Sequence, residues 1–169
     1  MIRPARGDDA SRLAAIHLAA WRKGCETILP SRTLAGATVD GRTQEWSRRL
    51  ASAGSRTFVC ERDGSPVGLA TLARLRANGR PSRSLLELRL LYVAPPCWRR
   101  GVGRELHQHV HAEAQGQGFR QLILWVLRDN LRARAFYEAL GYAPDRGRQV
   151  RLGGHTVDET RYRLALDPT

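Results

Sequence analysis

Val93-Ala94-Pro95-Pro96-Cys97-Trp98-Arg99-Arg100-Gly101-Val102-Gly103-Arg104 is the stretch on which the fold turns. It reads as a strand stopped by two prolines, followed by glycines at the mouth of a helix. Glycine lets backbone amides approach a ligand closely, and a helix N-terminus adds partial positive charge, so the turn suits a pyrophosphate. A lone GxG at such a turn is equally compatible with a tight bend that binds nothing. The flanking Arg99, Arg100 and Arg104 favour the anion. A Rossmann site needs GxGxxG after the first strand and a Walker loop needs Gly-Lys-Ser/Thr; this segment has neither.

Working outward, Leu85 to Val93 is a long apolar strand entering the turn. The helix leaving it, Val102 to Gln115, carries Leu106, Val110 and Ala114 at four-residue spacing and leads to the apolar run Leu122 to Leu127. A strand, helix and strand of this length predict a parallel crossover. A helix over Leu131 to Leu140, capped at Gly141, and two strands near Gln149 to Leu152 and Val157 to Leu166 complete the C-terminal part.

Toward the N-terminus, a short strand at Ile2 to Pro4 precedes a helix opening at Asp8 or Asp9, with Leu13, Ile16 and Ala20 on one face. The text is irregular from Ile28-Leu29-Pro30 to Gly41, where a second helix carries Trp46 and Leu50 and ends at Gly54. Thr57 to Cys60 and Val67 to Leu72 form a hairpin across Arg62-Asp63-Gly64-Ser65, because Asp-Gly supplies the positive φ that such turns require. Arg74 to Arg83, with Asn78-Gly79 and Pro81, reads as a polar loop. The order βααβββαβαββ predicts a mixed α/β (α+β mixed) protein: a three-layer, mostly antiparallel sheet with a central parallel strand pair flanked by helices.

The 169 residues fit one domain, taken as 1–167, and 42% hydrophobic with 26% charged residues is ordinary for a globular chain. Met1-Ile2-Arg3-Pro4 runs into Asp8 and Asp9 without an apolar leader, and no aliphatic run reaches membrane length, so no membrane partner and a cytoplasmic location are expected. Cys25, Cys60 and Cys97 are three, widely spaced and without a CxxC pair, which points away from a disulfide framework or zinc knuckle. Of 28 basic residues all but Lys23 are arginine, and the net charge is +12. The arginines are scattered from Arg3 to Arg163 without a block, which fits an anionic cofactor better than a nucleic-acid face; no nucleic-acid partner is expected.

The central segment resembles the acetyl-CoA signature of the GNAT superfamily, Q/R-x-x-G-x-G/A, as Trp98-Arg99-Arg100-Gly101-Val102-Gly103, with Trp98 departing at the first position. The preceding strand resembles the family's E-x-x-x-L-Y-V-x-P in Glu87, Leu91, Tyr92, Val93 and Pro95. Leu124-Trp125-Val126, Asn130, Ala133, Phe136-Tyr137-Glu138 and Gly141-Tyr142 resemble its following strand and helix. The opening Ala20-Trp21-Arg22 and Ile28-Leu29-Pro30 is similar to one bacterial branch. The resemblance implies an acetyl-CoA-dependent N-acetyltransferase acting by direct transfer to a primary amine of a small molecule or protein, as a monomer or homodimer. A non-catalytic acetyl-CoA sensor or partner-binding module on the same fold is the alternative.

On that reading Arg99, Arg100, Gly101, Val102, Gly103 and Arg104 cradle the pyrophosphate, and Leu91, Tyr92 and Val93 form the pantetheine edge. Asn130, Arg134 and Tyr137, at i, i+4 and i+7, share one helix face toward the cofactor; the plainer alternative is a capping Asn130, a solvated Arg134 and a half-buried Tyr137. Tyr137 is the candidate acid for the departing thiolate, since a phenol stays protonated at neutral pH. Glu87 is the candidate base: in an apolar strand, burial would raise its pKa toward a useful range, unless it turns outward or pairs with an arginine. A backbone amide at Leu91 or Tyr92 would serve the oxyanion if the strand bulges or splays. Gly24 to Asp40 and Arg74 to Arg83 are expected to line the amine side, where Trp21 and Trp46 are either pocket walls or core anchors. His107, His109 and His111 flank a core stripe without an HExxH pattern, so no metal is expected, and Cys97 reads as an incidental loop cysteine.

Overall fold

The computed structural model describes residues 1–77 and 80–166. Its elements, in order, are β1 (Ile2–Pro4), a 3-10 turn (Gly7–Asp9), α1 (Ala10–Cys25), α2 (Ser31–Ala35), α3 (Val39–Ala51), β2 (Ser55–Arg62) and β3 (Ser65–Ala77). There follow β4 (Arg80–Val93), a 3-10 turn (Pro95–Cys97), α4 (Val102–Gly116), β5 (Gln121–Leu127), α5 (Leu131–Glu138), β6 (Ala143–Leu152) and β7 (His155–Ala165). The seven strands form one sheet in the order β1-β2-β3-β4-β5-β7-β6, antiparallel throughout except for β4 with β5. This is the mixed, three-layer architecture the sequence predicts, with the parallel crossover running through α4.

Alternation along the strands explains the layers. Phe58, Cys60, Ala70 and Leu72 enter one core with Leu106 and Val110 of α4, while Val59 and Leu69 enter the other with Leu13 and Trp46. Successive side chains point to opposite faces of a sheet, so strands covered on both faces read as unbroken apolar runs. Leu13, Ile16 and Ala20 are buried as their spacing demands, and Trp46 is a core anchor at 1% exposure. Gly68 sets how near α4 can come: a Cβ there would lie 3.0 Å from side-chain atoms of Val102 and Leu106.

Three stretches differ from expectation. The segment after Pro30 holds the short α2, and α3 begins at Val39 because Thr38 caps it, its hydroxyl accepting the Gly41 amide at 3.2 Å. The Arg74 to Arg83 segment is no loop: β3 runs to Ala77 and β4 starts at Arg80, so the polar text belongs to a hairpin arm, with Asn78-Gly79 outside the described residues. Asn-Gly is itself a hairpin signal, and a solvated arm needs no apolar alternation. β6 starts at Ala143, earlier than expected, because an edge strand that is mostly exposed is stabilised by its ladder to β7 and carries no hydrophobic period. The Asp63-Gly64 turn forms as read, with φ of 49° and 73°.

One ion-pair network ties the N-terminal strand to the body. Arg3 holds Asp9 through two hydrogen bonds of 2.8 and 2.9 Å and reaches Glu61 of β2 at 2.7 Å, while the Arg6 amide donates to Asp9 at 2.7 Å. The hydrogen bonds from Arg3, opposed in part by burial, hold the Asp9 carboxyl below the usual carboxylate range. A carboxyl depressed in the folded state contributes stability above its unfolded pKa of about 3.9 and loses it as pH falls through the folded value. Asp9→Asn is expected to lower the unfolding free energy at pH 7 by about 1–3 kcal/mol. It should also remove part of the wild-type loss below about pH 4, both measured by urea unfolding at pH 7 and pH 3.

Candidate active site

β4 and β5 are bonded over only three rungs, Leu85 with Gln121, Leu86 with Leu122 and Glu87 with Ile123, after which they part. The register of β4 against β3 shifts at the same level, from Leu72 opposite Leu88 to Thr71 opposite Leu90, leaving Arg89 as the extra residue of a β-bulge. Both conditions posed for a free amide, a bulge and a splay, are thus present. The Ala94 amide donates to the Val67 carbonyl at 2.8 Å. Donor direction alternates along an antiparallel strand, so the Leu90 and Tyr92 amides face β3 while those of Leu91 and Val93 face the open side. Of the two oxyanion candidates, Leu91 therefore presents its N–H to the gap, and Tyr92 does not.

The loop closing this gap carries the predicted cradle. Arg99 and Gly101 have φ of 60° and 81°, and the helix begins at Val102, so left-handed residues turn successive amides toward one concavity at the α4 N-terminus. Nothing but the Glu105 side chain, at 3.8 Å, would meet a Cβ on Gly101, so glycine is required there by conformation and not by space. Arg99, Arg100 and Arg104 are exposed, and none forms an ion pair among the described residues. Trp98 fixes the loop to the strand end: its indole N–H donates to the Val93 carbonyl at 2.6 Å. The guanidinium carbon of Arg132 lies over the same ring, 3.7 Å from its centroid.

On α5 the three residues predicted to share a face separate. Asn130 caps the helix, its side-chain oxygen accepting the Ala133 amide at 3.1 Å. Arg134 turns away from the loop and donates to the Tyr162 hydroxyl at 2.9 Å and the Arg128 carbonyl at 3.0 Å, while Tyr162 donates to Glu138 at 2.6 Å. Tyr137 is buried between Phe136 and Tyr142 in edge-to-face contact, and its hydroxyl has no hydrogen-bond partner among the described residues. Burial pushes its pKa above the ordinary phenol value, which keeps the O–H neutral.

Glu87 stands on the last parallel rung, at the vertex of the gap. Its neighbours Leu86 and Leu88 belong to the α4 core, so alternation places it on the face that α1 covers. It is partly covered rather than sunk in apolar surroundings, and Arg89 donates to it at 3.0 and 3.2 Å. Pairing with an arginine, the alternative raised from the sequence, is what the geometry contains. Tyr92 lies on the same face, stacked at 4.3 Å on His17, a buried ring whose pKa burial lowers to about 3; Tyr92 itself is pushed up to about 12.

Two cavities are found among the described residues. One of about 250 Å³ is bounded by Ile28, Arg128, Asp129, Gln149, Thr156 and Asp158, joining the segment after α1 to the β6–β7 hairpin. Ile28 is the residue of Gly24 to Asp40 that borders it. The described part of Arg74 to Arg83 instead borders a separate cavity of about 680 Å³ with Arg89 and Gln117. His107 is buried and bonded to the Tyr142 hydroxyl at 3.1 Å, and His109 packs on Phe58. Arg132 and His17 were not singled out from sequence: the first lies on the face opposite an apparent ligand stripe, and the second reads as one more polar residue on a helix.

A family model described as the acetyltransferase (GNAT) family matches residues 15–142. A probable N-acetyltransferase of Mycobacterium tuberculosis is 30% identical over 173 residues, covering 96% of this chain and 92% of that protein. An uncharacterised N-acetyltransferase of Bacillus subtilis is 26% identical, covering 86% and 80%. Among solved structures, a GCN5-related N-acetyltransferase from Rhodopseudomonas palustris superposes with a TM-score of 0.79 at 25% identity, over 98% of this chain and 95% of that one. A putative acetyltransferase from Salmonella typhimurium, solved with its cofactor acetyl-CoA, gives 0.73 at 22% identity over 100% and 95%. The strand gap, the glycine turn at the head of α4 and these likenesses meet in one conclusion: the chain belongs to the GNAT acetyltransferase family and is an N-acetyltransferase.

Proposed function

We propose that the chain moves the acetyl group of acetyl-CoA directly onto a primary amine of a small molecule or protein, as one domain over residues 1–167 working in the cytoplasm. The observation that carries this reading is the parting of β4 from β5 beyond Glu87, with the Leu91 and Val93 amides turned into the gap. Acetyl-CoA supplies an activated acetyl group as a thioester. Its pantetheine arm has amides that the Leu91 carbonyl and the Val93 N–H can pair with by strand addition. Its phosphates match the amides of Arg99 to Gly103 and the charges of Arg99, Arg100 and Arg104. Asn130 holds the α5 N-terminus on the opposite wall, and Arg134 contributes by fixing α5 to β7 through Tyr162.

The two faces of the sheet divide the chemistry. Glu87, on the α1 face, takes the proton of the incoming ammonium through a water, with Arg89 orienting its carboxylate. The Leu91 amide stabilises the negative charge that develops on the carbonyl oxygen as the amine nitrogen bonds to carbon. The carbon–sulfur bond then breaks as Tyr137, on the α5 face, donates its proton to the sulfur, and the remaining extra proton of the acylated nitrogen passes to the tyrosinate. A neutral, unpartnered hydroxyl has that proton available.

Mass spectrometry of acetyl-CoA with a panel of primary amines tests the activity, with a mass gain of one acetyl group on at least one amine expected. Tyr137→Phe is expected to lower kcat by about 10²–10⁴-fold while acetyl-CoA affinity stays near wild type; an unchanged kcat removes Tyr137 from the reaction. Glu87→Gln is expected to abolish the acid limb of the pH–rate profile, and a profile superposable on wild type rejects the base assignment.

A further inference from the structure

Arg132, in the first turn of α5, reaches back to the loop before α4. Its guanidinium lies over the Trp98 ring, a cation–aromatic contact, at the point where Trp98 is anchored to the last residue of β4. Room for it is left by Gly24 near the end of α1, where a Cβ would come within 3.3 Å of Nη2. The guanidinium thus bridges the mouth of the strand gap, with α1 and the loop on one side and α5 on the other.

Arg3, Arg42, Arg62, Arg128, Arg148 and Arg161 each hold a carboxylate, whereas Arg132 has neither an ion pair nor a hydrogen bond among the described residues. Burial lowers the pKa of Arg132, opposed by Cys25 and Glu26, and the charge of Arg99 adds a smaller push in the same direction as burial. Arg99, Arg100 and Arg104 are unpaired as well. Gathering like charges round one opening is unfavourable unless an anion shares them. The indole cannot serve that anion, because its only N–H is committed to Val93. The planar fork above it can, since guanidinium matches phosphate with two parallel N–H donors.

We propose that Arg132, seated on Trp98, is a phosphate-binding and donor-specificity residue for acetyl-CoA, gripping a phosphate from the α5 side opposite the Arg99–Arg104 loop. The assignment rests on the donor reading given above and adds a residue to it. Arg132 is exposed and at the start of a helix, so its replacement leaves the core intact. Binding of acetyl-CoA and of S-acetylpantetheine, which has the same thioester and no phosphate, is measured by calorimetry and thermal shift for wild type, Arg132→Ala and Arg132→Lys.

The expected result is a Kd for acetyl-CoA raised by about tenfold to a hundredfold in Arg132→Ala. Arg132→Lys, which keeps the charge and loses the fork, falls between, and S-acetylpantetheine binds all three alike. The acetyl-CoA Kd of Arg132→Ala should also depend less steeply on salt. Acetyl-CoA binding to Arg132→Ala within twofold of wild type overturns the assignment, as does an equal loss for S-acetylpantetheine, which marks a structural role. A wild-type chain that binds no acetyl-CoA overturns the donor reading itself, and this assignment with it.

Discussion

The separation of β4 from β5 is the constraint on which the rest of the structure depends. Three parallel rungs join a four-stranded half, β1 to β4, to a three-stranded half, β5, β7 and β6. The bulge at Arg89 bends β4 to follow β3, and β5 stays with β7 in unbroken register from Gln121 to Leu127. Backbone donors that lose a strand partner must find another, and a ligand with amides of its own is such a partner. The prolines after Val93 stop the strand before it can reclose, and Trp98 takes the Val93 carbonyl, so the opening is held by covalent geometry and one hydrogen bond rather than by looseness.

The helices make that opening chemically asymmetric. α4 packs by Val102, Leu106 and Val110 on a sheet that Gly68 leaves bare at the contact, which fixes its N-terminus and the left-handed turn ahead of it. α1 and α3 cover the other face, where His17 supports Tyr92 and Glu87 waits at the vertex. The charge of +12 then gains a local meaning. Ten arginines are held in ion pairs among the described residues, and the loop arginines and Arg132 are among those that are not.

Much of this was legible beforehand because it rests on local rules. The Asp63-Gly64 turn, the amphipathic face of α1, the crossover through α4 and the glycine turn each follow from a few adjacent residues. The ends of β3 and β4 beyond Arg74 and Leu85 and the edge strand β6 were misread because their described residues are mostly exposed, so hydrophobic period carries no signal. The α5 face is a different case. Helical spacing correctly groups Asn130, Arg134 and Tyr137, yet it is silent on which neighbour each meets: Arg134 finds Tyr162 of β7, and Arg132, on a different face, finds Trp98.

The sequence by itself carried the motifs that resemble the family, and its short-range spacing determined the order of elements apart from α2, the turn that suits a pyrophosphate and the identity of the titratable residues near it. Only the tertiary structure decided that the pairing of β4 and β5 stops at Glu87, that Leu91 rather than Tyr92 faces the gap, that Glu87 is paired with Arg89, and that Arg132 spans the mouth. Apart from the Glu87–Arg89 pair, which lies within β4 across its bulge, each of those depends on elements far apart in the chain. Register, strand twist and the seating of one helix on another fix such contacts, and no window of neighbouring residues contains them.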